Sequence, residues 1–274
     1  MTLVDLFATT ESRVPERPAI VFRDRRLTYR ELGRLAGVVS GLLREMGSGA
    51  RSRVVLMAPN VPEFGVGYLG ILMAGATVVP LNPLLKAEEV RYVLEDSGAA
   101  AILSLETSLP LLRAARARLG RGCPILSLDG SAAGETGDAS LPAAVRAGLC
   151  DAPASGSTED VAVCLYTSGT TGRPKGALLS HGNLIANVQS FRTVLHVSED
   201  DVFLAVLPFF HAYGATVLFL EPLSMGATIV VEPRFLPEVV LRAMAQHRVT
   251  LFAGVPSMYA MLVASPQPAG DFSS

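Results

Sequence analysis

The sequence predicts an α/β protein built as two lobes. Short apolar runs such as Arg53 to Ala58, Thr77 to Pro80 and Val161 to Tyr166 alternate with segments of helical spacing. Alternation of that kind marks a largely parallel sheet covered by helices on both faces. The pattern pauses between Asp129 and Asp160, where Gly, Ser, Ala, Asp and Glu dominate, and restarts at Asp200. The two stretches share a pattern without an internal repeat, which places lobes at about 51–195 and at 1–50 plus 200–274. A chain of 274 residues, 50% of them hydrophobic, is long enough to bury such a core.

Ile20–Val21 and Leu27–Tyr29 form short strands around the charged turn Arg23 to Arg26. Thr28 and Glu31 make a capping box, and Leu32, Leu35, Val39, Leu42 and Met46 follow at helical spacing, so a helix runs from Tyr29 to Met46. After the strand at Arg53 comes a glycine-dotted helix, Val61 to Ala74, whose small residues allow close packing. The strand at Thr77 leads to a helix at Ala87–Asp96, a strand at Ala100–Ser104, a helix at Leu109–Leu119 and a strand at Pro124–Leu128. Asp129 to Asp160 is a surface excursion with a short helix near Leu141–Ala147. Beyond the strand Val161–Tyr166, Ala177 to Leu179 is a further short strand, and Ser180 caps a helix carrying Leu184, Val188, Phe191 and Leu195. The second stretch gives strands at Val202–Leu207, Thr228–Val231 and Thr250–Ala253. Its helices run up to Leu223, from Leu236 to Gln246, and from Pro256.

Charge excludes several classes of function. A net charge of −2 offers no basis for nucleic-acid or acidic-membrane binding. Cys123, Cys150 and Cys164 lack metal-ligand spacing and fit reduced thiols in a cytoplasmic protein. The N-terminus has no basic segment followed by an apolar core, so it is not a secretory signal. Phe64–Leu85 and Val202–Leu220 approach the length of a membrane span, but Pro80, Asn82 and Pro83 interrupt the first, and Pro208 and His211 the second. Each is read as a buried helix joined to a buried strand.

The chemistry concentrates in Leu165 to Gly176, LYTSGTTGRPKG. Thr167, Ser168, Thr170 and Thr171 supply hydroxyl donors, Gly169 and Gly172 bring backbone N–H groups close to a ligand, and Lys175 adds a point charge. These are parts of a cradle for phosphate oxygens. The loop is not a Walker A motif, which needs Gly-Lys followed directly by Ser or Thr, whereas Lys175 stands between Pro174 and Gly176. A solvated Ser/Thr/Gly linker has the same composition. Against that reading stand the abrupt start behind a buried strand and the placement here of one of only two lysines in the chain.

TSGTTGRPKG, continued by ALLSHGNL, resembles the signature loop of the adenylate-forming enzymes, which include acyl-CoA synthetases, nonribosomal adenylation domains and luciferases. LTYREL and GVPSMYAML are similar to further segments of that family, and ILMAGATVVPLNPLLKAEEVRYVLEDSGA takes a form nearer to the fatty acyl-CoA ligases. The resemblance implies ATP-dependent activation of a carboxylic acid: its carboxylate attacks the α-phosphorus, pyrophosphate leaves, and the acyl group passes to the thiol of coenzyme A. It assigns Thr167, Ser168, Gly169, Thr170, Thr171, Gly172 and Lys175 to the ATP phosphates, with Thr167 also near Mg²⁺. By itself, His211 in Phe-Phe-His-Ala-Tyr-Gly is an ordinary structural histidine. The resemblance makes it a gate or wall of the acyl pocket, with Phe210, Tyr213 and Gly254.

The adenine-binding segment, the Tyr-Gly-x-Thr-Glu motif, the ribose-binding aspartate and the small C-terminal domain with its catalytic lysine are not found in this sequence. The resemblance therefore implies an incomplete N-terminal AMP-binding domain that does not make acyl-adenylate alone and self-associates through uncovered apolar surface. ATP–pyrophosphate exchange by the chain would refute its inactivity. Two alternatives stay open: a fatty acyl-AMP ligase or nonribosomal-type enzyme that delivers to a carrier protein, and a non-catalytic binding or oligomerising remnant.

Overall fold

The computed structural model describes residues 1–130, 138–149, 153–167 and 173–266. The chain divides into two compact units, one made of residues 1–5, 33–59 and 63–185, the other of 6–32, 60–62 and 186–274. The boundaries thus fall inside helices near 33 and 185, not at the sequence-based positions near 50 and 195.

The first unit is built on a seven-stranded sheet. Its strands are β3 (Arg53–Met57), β4 (Thr77–Leu81), β5 (Ala101–Ser104), β6 (Ile125–Ser127), β7 (Ala139–Ser140), β8 (Val161–Thr167) and β9 (Lys175–Ser180), in the spatial order β7-β6-β5-β3-β4-β8-β9. All pairs are parallel except β8–β9, an antiparallel hairpin at one edge. Every residue of β4 and β5 is buried, as strands covered on both faces must be.

The helix α3 (Pro62–Met73) is apolar on every side because its small residues admit close neighbours. A Cβ on Gly67 would lie 2.9 Å from the Leu56 side chain of β3, and one on Gly70 would lie 2.5 Å from Val39. Val39 belongs to α2 (Tyr29–Glu45), where Glu31 accepts the Thr28 N–H at 2.8 Å and Thr28 Oγ1 accepts the Glu31 N–H at 3.2 Å. The predicted capping box is therefore formed. Helices α4 (Ala87–Ser97), α5 (Leu109–Arg116) and α6 (Leu141–Arg146) complete the covering layers, and α7 (His181–Val194) follows β9.

The second unit holds a five-stranded sheet of order β12-β10-β11-β1-β2. It contains β1 (Pro18–Phe22), β2 (Arg25–Thr28), β10 (Val202–Ala205), β11 (Thr228–Val231) and β12 (Leu251–Phe252), parallel except for the β1–β2 hairpin. Helix α10 (Pro237–His247) packs Val240, Leu241 and Ala243 against Val21, Leu204 and Val230, and Leu262 of α11 (Pro256–Ala264) joins that cluster. Tyr29 is buried here, stacked on Phe7, and its hydroxyl donates to the Ala227 carbonyl at 2.8 Å.

Three features depart from the sequence reading. A helix α1 (Leu3–Arg13) opens the chain, started by the reciprocal bonds Thr2 N–H to Asp5 Oδ2 (2.6 Å) and Asp5 N–H to Thr2 Oγ1 (3.2 Å). The helix leading to Leu223 is α8 (Ala212–Ala215), a π turn at Thr216–Leu220 and α9 (Glu221–Met225). Each sheet also carries an antiparallel edge strand. Both stretches weighed as membrane spans are split into shorter elements, and among the described residues no helix is long and apolar enough to cross a membrane.

Glu221 stands out in the second unit. Its side chain is 1% exposed, its two carboxylate oxygens have no hydrogen-bond partner among the described residues, and the Arg192 Nε lies 3.7 Å away. Burial pushes its carboxyl up to about 7, against the favourable charge of Arg192. The folded state therefore holds this proton more tightly than the unfolded chain. Its contribution is fully present below about pH 4.5 and is lost as pH rises through about 7. In chemical denaturation, Glu221→Gln is expected to flatten this decline and to stabilise the protein at pH 8 by on the order of 2 kcal/mol.

Candidate functional site

The polar loop joins the two strands of the β8–β9 hairpin. Thr167 ends β8, Lys175 begins β9, and the two are the last residues in register before the loop, behind the pairs Tyr166–Gly176, Leu165–Ala177 and Cys164–Leu178. Both side chains stand at exposed positions. Ser168, Gly169, Thr170, Thr171 and Gly172 lie outside the described residues. Because β8 is parallel to β4, the loop leaves the carboxyl end of the sheet, where open α/β sheets bind ligands. The segment Lys175–Ser180 was legible only as Ala177 to Leu179, since its other residues are polar or glycine.

Gly176 has a steric role. A Cβ there would lie 2.7 Å from Cys164 Sγ and 3.4 Å from the Tyr166 ring. Its absence leaves room for the Cys164 thiol, and Tyr166 beside it donates its hydroxyl to Asp96 Oδ2 at 2.6 Å. On the other strand, the Pro174 carbonyl accepts the Tyr92 hydroxyl at 2.9 Å. Burial, with the Asp96 carboxylate beside it, raises the Tyr166 hydroxyl well above the usual phenol range, so it remains a donor at neutral pH.

His211, Phe210, Tyr213 and Gly254 all belong to the second unit. His211 is the N-cap residue of α8 in extended conformation, exposed and without a side-chain cap bond. Tyr213 is also exposed. The segments carrying His211 and Gly254 leave the carboxyl ends of β10 and β12, which are parallel neighbours. Sequence reasoning missed Asn60, which holds the turn before His211. Its amide donates to the Leu207 carbonyl and accepts the Phe209 N–H, both at 2.8 Å, while it is 4% exposed. The signal was an Asn-Val-Pro after a strand, which looks like any turn. Gly214 is required in the same turn, since a Cβ would sit 2.2 Å from the Pro208 carbonyl oxygen.

His181 anchors the N-terminal helix. It is 7% exposed, its Nδ1 accepts the Leu3 N–H at 3.1 Å, and burial lowers its pKa, which keeps the ring neutral. It also lines a cavity of about 490 Å³ with Thr2, Arg51, Arg53, Thr77 and Asp160. Those residues sit at the amino ends of β3, β4 and β8, opposite the end from which the polar loop emerges. Among the described residues no cluster of three or more His, Cys, Asp or Glu can hold a metal ion. One hydroxyl at Thr167 does not make a magnesium site, so the residues fit only a metal brought in on a ligand's phosphates.

The two-unit α/β fold places a hydroxyl- and glycine-rich loop at the carboxyl end of one sheet, the end at which open α/β sheets bind ligands. The model of the AMP-binding enzyme family matches residues 7–274, and the chain belongs to that family. It is 29% identical to a long-chain-fatty-acid–CoA ligase of Bacillus subtilis (strain 168), covering 97% of this chain and 52% of that protein. It is 33% identical to a feruloyl-CoA synthase of Amycolatopsis sp, covering 95% of this chain and 50% of the relative. A benzoate CoA ligase from Burkholderia xenovorans LB400 superposes with a TM-score of 0.86 at 25% identity, over 97% of this chain and 52% of that one. The chain thus spans about half the length of these relatives.

Proposed function

We propose that this chain carries the triphosphate-binding and acyl-binding parts of an ATP-dependent acid–thiol ligase that makes acyl-CoA through an acyl-adenylate. The observation that carries the reading is the β8–β9 hairpin, which sets the Thr167 hydroxyl and the Lys175 ammonium on either side of the loop at the carboxyl edge of the sheet. Displacement at phosphorus depends mainly on positioning and charge stabilisation, which a frame of O–H, N–H and ammonium donors supplies. Ser168, Gly169, Thr170, Thr171 and Gly172 complete that frame around the β- and γ-phosphates, with Mg²⁺ arriving on the nucleotide to neutralise phosphate charge. His211, Phe210, Tyr213 and Gly254 line or gate the acyl site.

The acid is a medium or long fatty acid, on the strength of the NPLLKAEEV segment and the His-containing turn. The named relatives act on fatty, ferulic and benzoic acids, so the acid itself requires a panel of these three classes. Buried thiols at Cys123 and Cys164 suit the cytoplasm. Isothermal titration with MgATP tests the reading: saturable binding at one site is expected, and no binding at millimolar nucleotide would overturn it. Exposed Tyr259, Met261 and Val263 on α11, with Val255 just before it, support self-association, which sedimentation velocity would register as mass rising with concentration.

A further inference from the structure

We infer that α4 is a clamp on the phosphate hairpin, with Tyr92 and Asp96 as positioning residues that hold the two ends of the loop through Pro174 and Tyr166. The inference rests on the nucleotide reading of that loop.

Tyr92 and Asp96 are four residues apart on α4 and therefore lie on one helical face. From that face one hydrogen bond reaches β8 at Tyr166, and the other reaches Pro174, just before β9. Tyr92 Oη donates to the Pro174 carbonyl, one residue before Lys175, and Asp96 Oδ2 accepts the hydroxyl of Tyr166, one residue before Thr167. The helix grips the hairpin at its tip, next to the two described residues assigned to phosphate. A contact placed lower on the strands would leave the loop ends free.

The clamp is mounted on a fixed support. Val90, Val93 and Leu94 of α4 are buried in the core beneath β3 and β4, and the rings of Tyr92 and Tyr166 pack on that same cluster. At the amino end of α4, Glu89 accepts the Lys86 N–H at 2.7 Å, and at the other end Gly98 closes the helix at φ 62°. Gly176 lies beside the arrangement, where a Cβ would clash with Cys164 Sγ at 2.7 Å and touch the Tyr166 ring at 3.4 Å. Holding the groups that meet a ligand in one arrangement costs conformational entropy on binding. A clamp that fixes the loop ends beforehand removes part of that cost.

The test compares Tyr92→Phe, Asp96→Ala and Asp96→Asn with the parent chain, by hydrogen–deuterium exchange of the amides at 173–177 and by MgATP titration. The Tyr92→Phe/Asp96→Ala double variant is expected to exchange about tenfold faster at those amides and to bind MgATP about fivefold more weakly, with β3, β4 and the melting temperature unchanged. Asp96→Asn retains an acceptor for Tyr166 and should restore most of both. Unchanged exchange in the double variant would overturn the clamp even if MgATP binds normally. If the parent chain binds no MgATP but the exchange still accelerates, the clamp stands and the nucleotide reading fails.

Discussion

Replacing Gly70 with valine lowers the stability of the protein by about 3 kcal/mol, at the upper end of what overpacking a core costs. Gly70 lies in the third turn of α3, facing α2 in the same unit. Even a single Cβ there would stand 2.5 Å from both Cβ and Cγ1 of Val39 and 2.9 Å from the Ala36 carbonyl oxygen. Val39 and Ala36 are wholly buried, so neither can swing toward solvent. The adjoining face of α3 leaves little room for a sideways shift, because Gly67, nearly one turn earlier, already sits against the side chains of Leu56, Leu128 and Leu103. The helix must tilt or the sheet must open, and both disturb strands that lead to the hairpin. Thermal denaturation followed by circular dichroism should show a drop of about 10 °C. A midpoint within 2 °C of the parent would mean that α2 and α3 are less tightly apposed than the structure has them.

Removing the Lys175 ammonium by substitution with alanine weakens MgATP binding about 100-fold, equivalent to about 2.7 kcal/mol. The Lys175 side chain is exposed, and its ammonium makes no hydrogen bond or ion pair to a described residue. Its loss therefore leaves no partner stranded, and the folded protein keeps its stability. The lysine does its work only when an anion arrives, adding a point charge beside that of Arg173 to the hydrogen bonds of the neutral donors in the loop. Lys175→Arg should recover only part of the affinity, since a planar fork replaces a compact charge. Titration calorimetry on both variants measures this, and a change of less than threefold in Lys175→Ala would remove the lysine from the phosphate site.

Much of this architecture was legible because local chemistry and burial agree. Thr28 and Glu31 announce α2 by a capping box that the structure forms, and the apolar runs of β4 and β5 are buried throughout. The reading faltered where pairing, not composition, defines an element. Lys175, Gly176 and Ser180 belong to β9 only because β8 offers them partners, and an exposed edge strand needs no apolar alternation. Helix α1 is marked in the sequence only by the Thr2–Asp5 pair that forms its cap. Strand β7, two residues long, exists only through its register with β6.

The site was legible as chemistry before it was legible as geometry. Thr167 and Lys175 were chosen for their functional groups, and the hairpin register explains why they stand opposite each other. The supporting residues were not foreseeable. Tyr92 and Asp96 look like the outer face of a solvated helix, and only the fold brings them to Pro174 and Tyr166. Asn60 likewise acquires its role from a turn about 150 residues away in sequence. Long-range hydrogen bonds of this kind leave no periodic trace in the chain.

Hydrogen–deuterium exchange of the chain with saturating MgATP, compared with AMP at equal occupancy, tests most directly whether the hairpin grips the pyrophosphate end of the nucleotide. Slowed exchange at 166–176 with MgATP, and little or none with AMP, is the expected result. Protection of that segment to the same extent by both nucleotides, or by neither while the nucleotide is bound, would contradict the account.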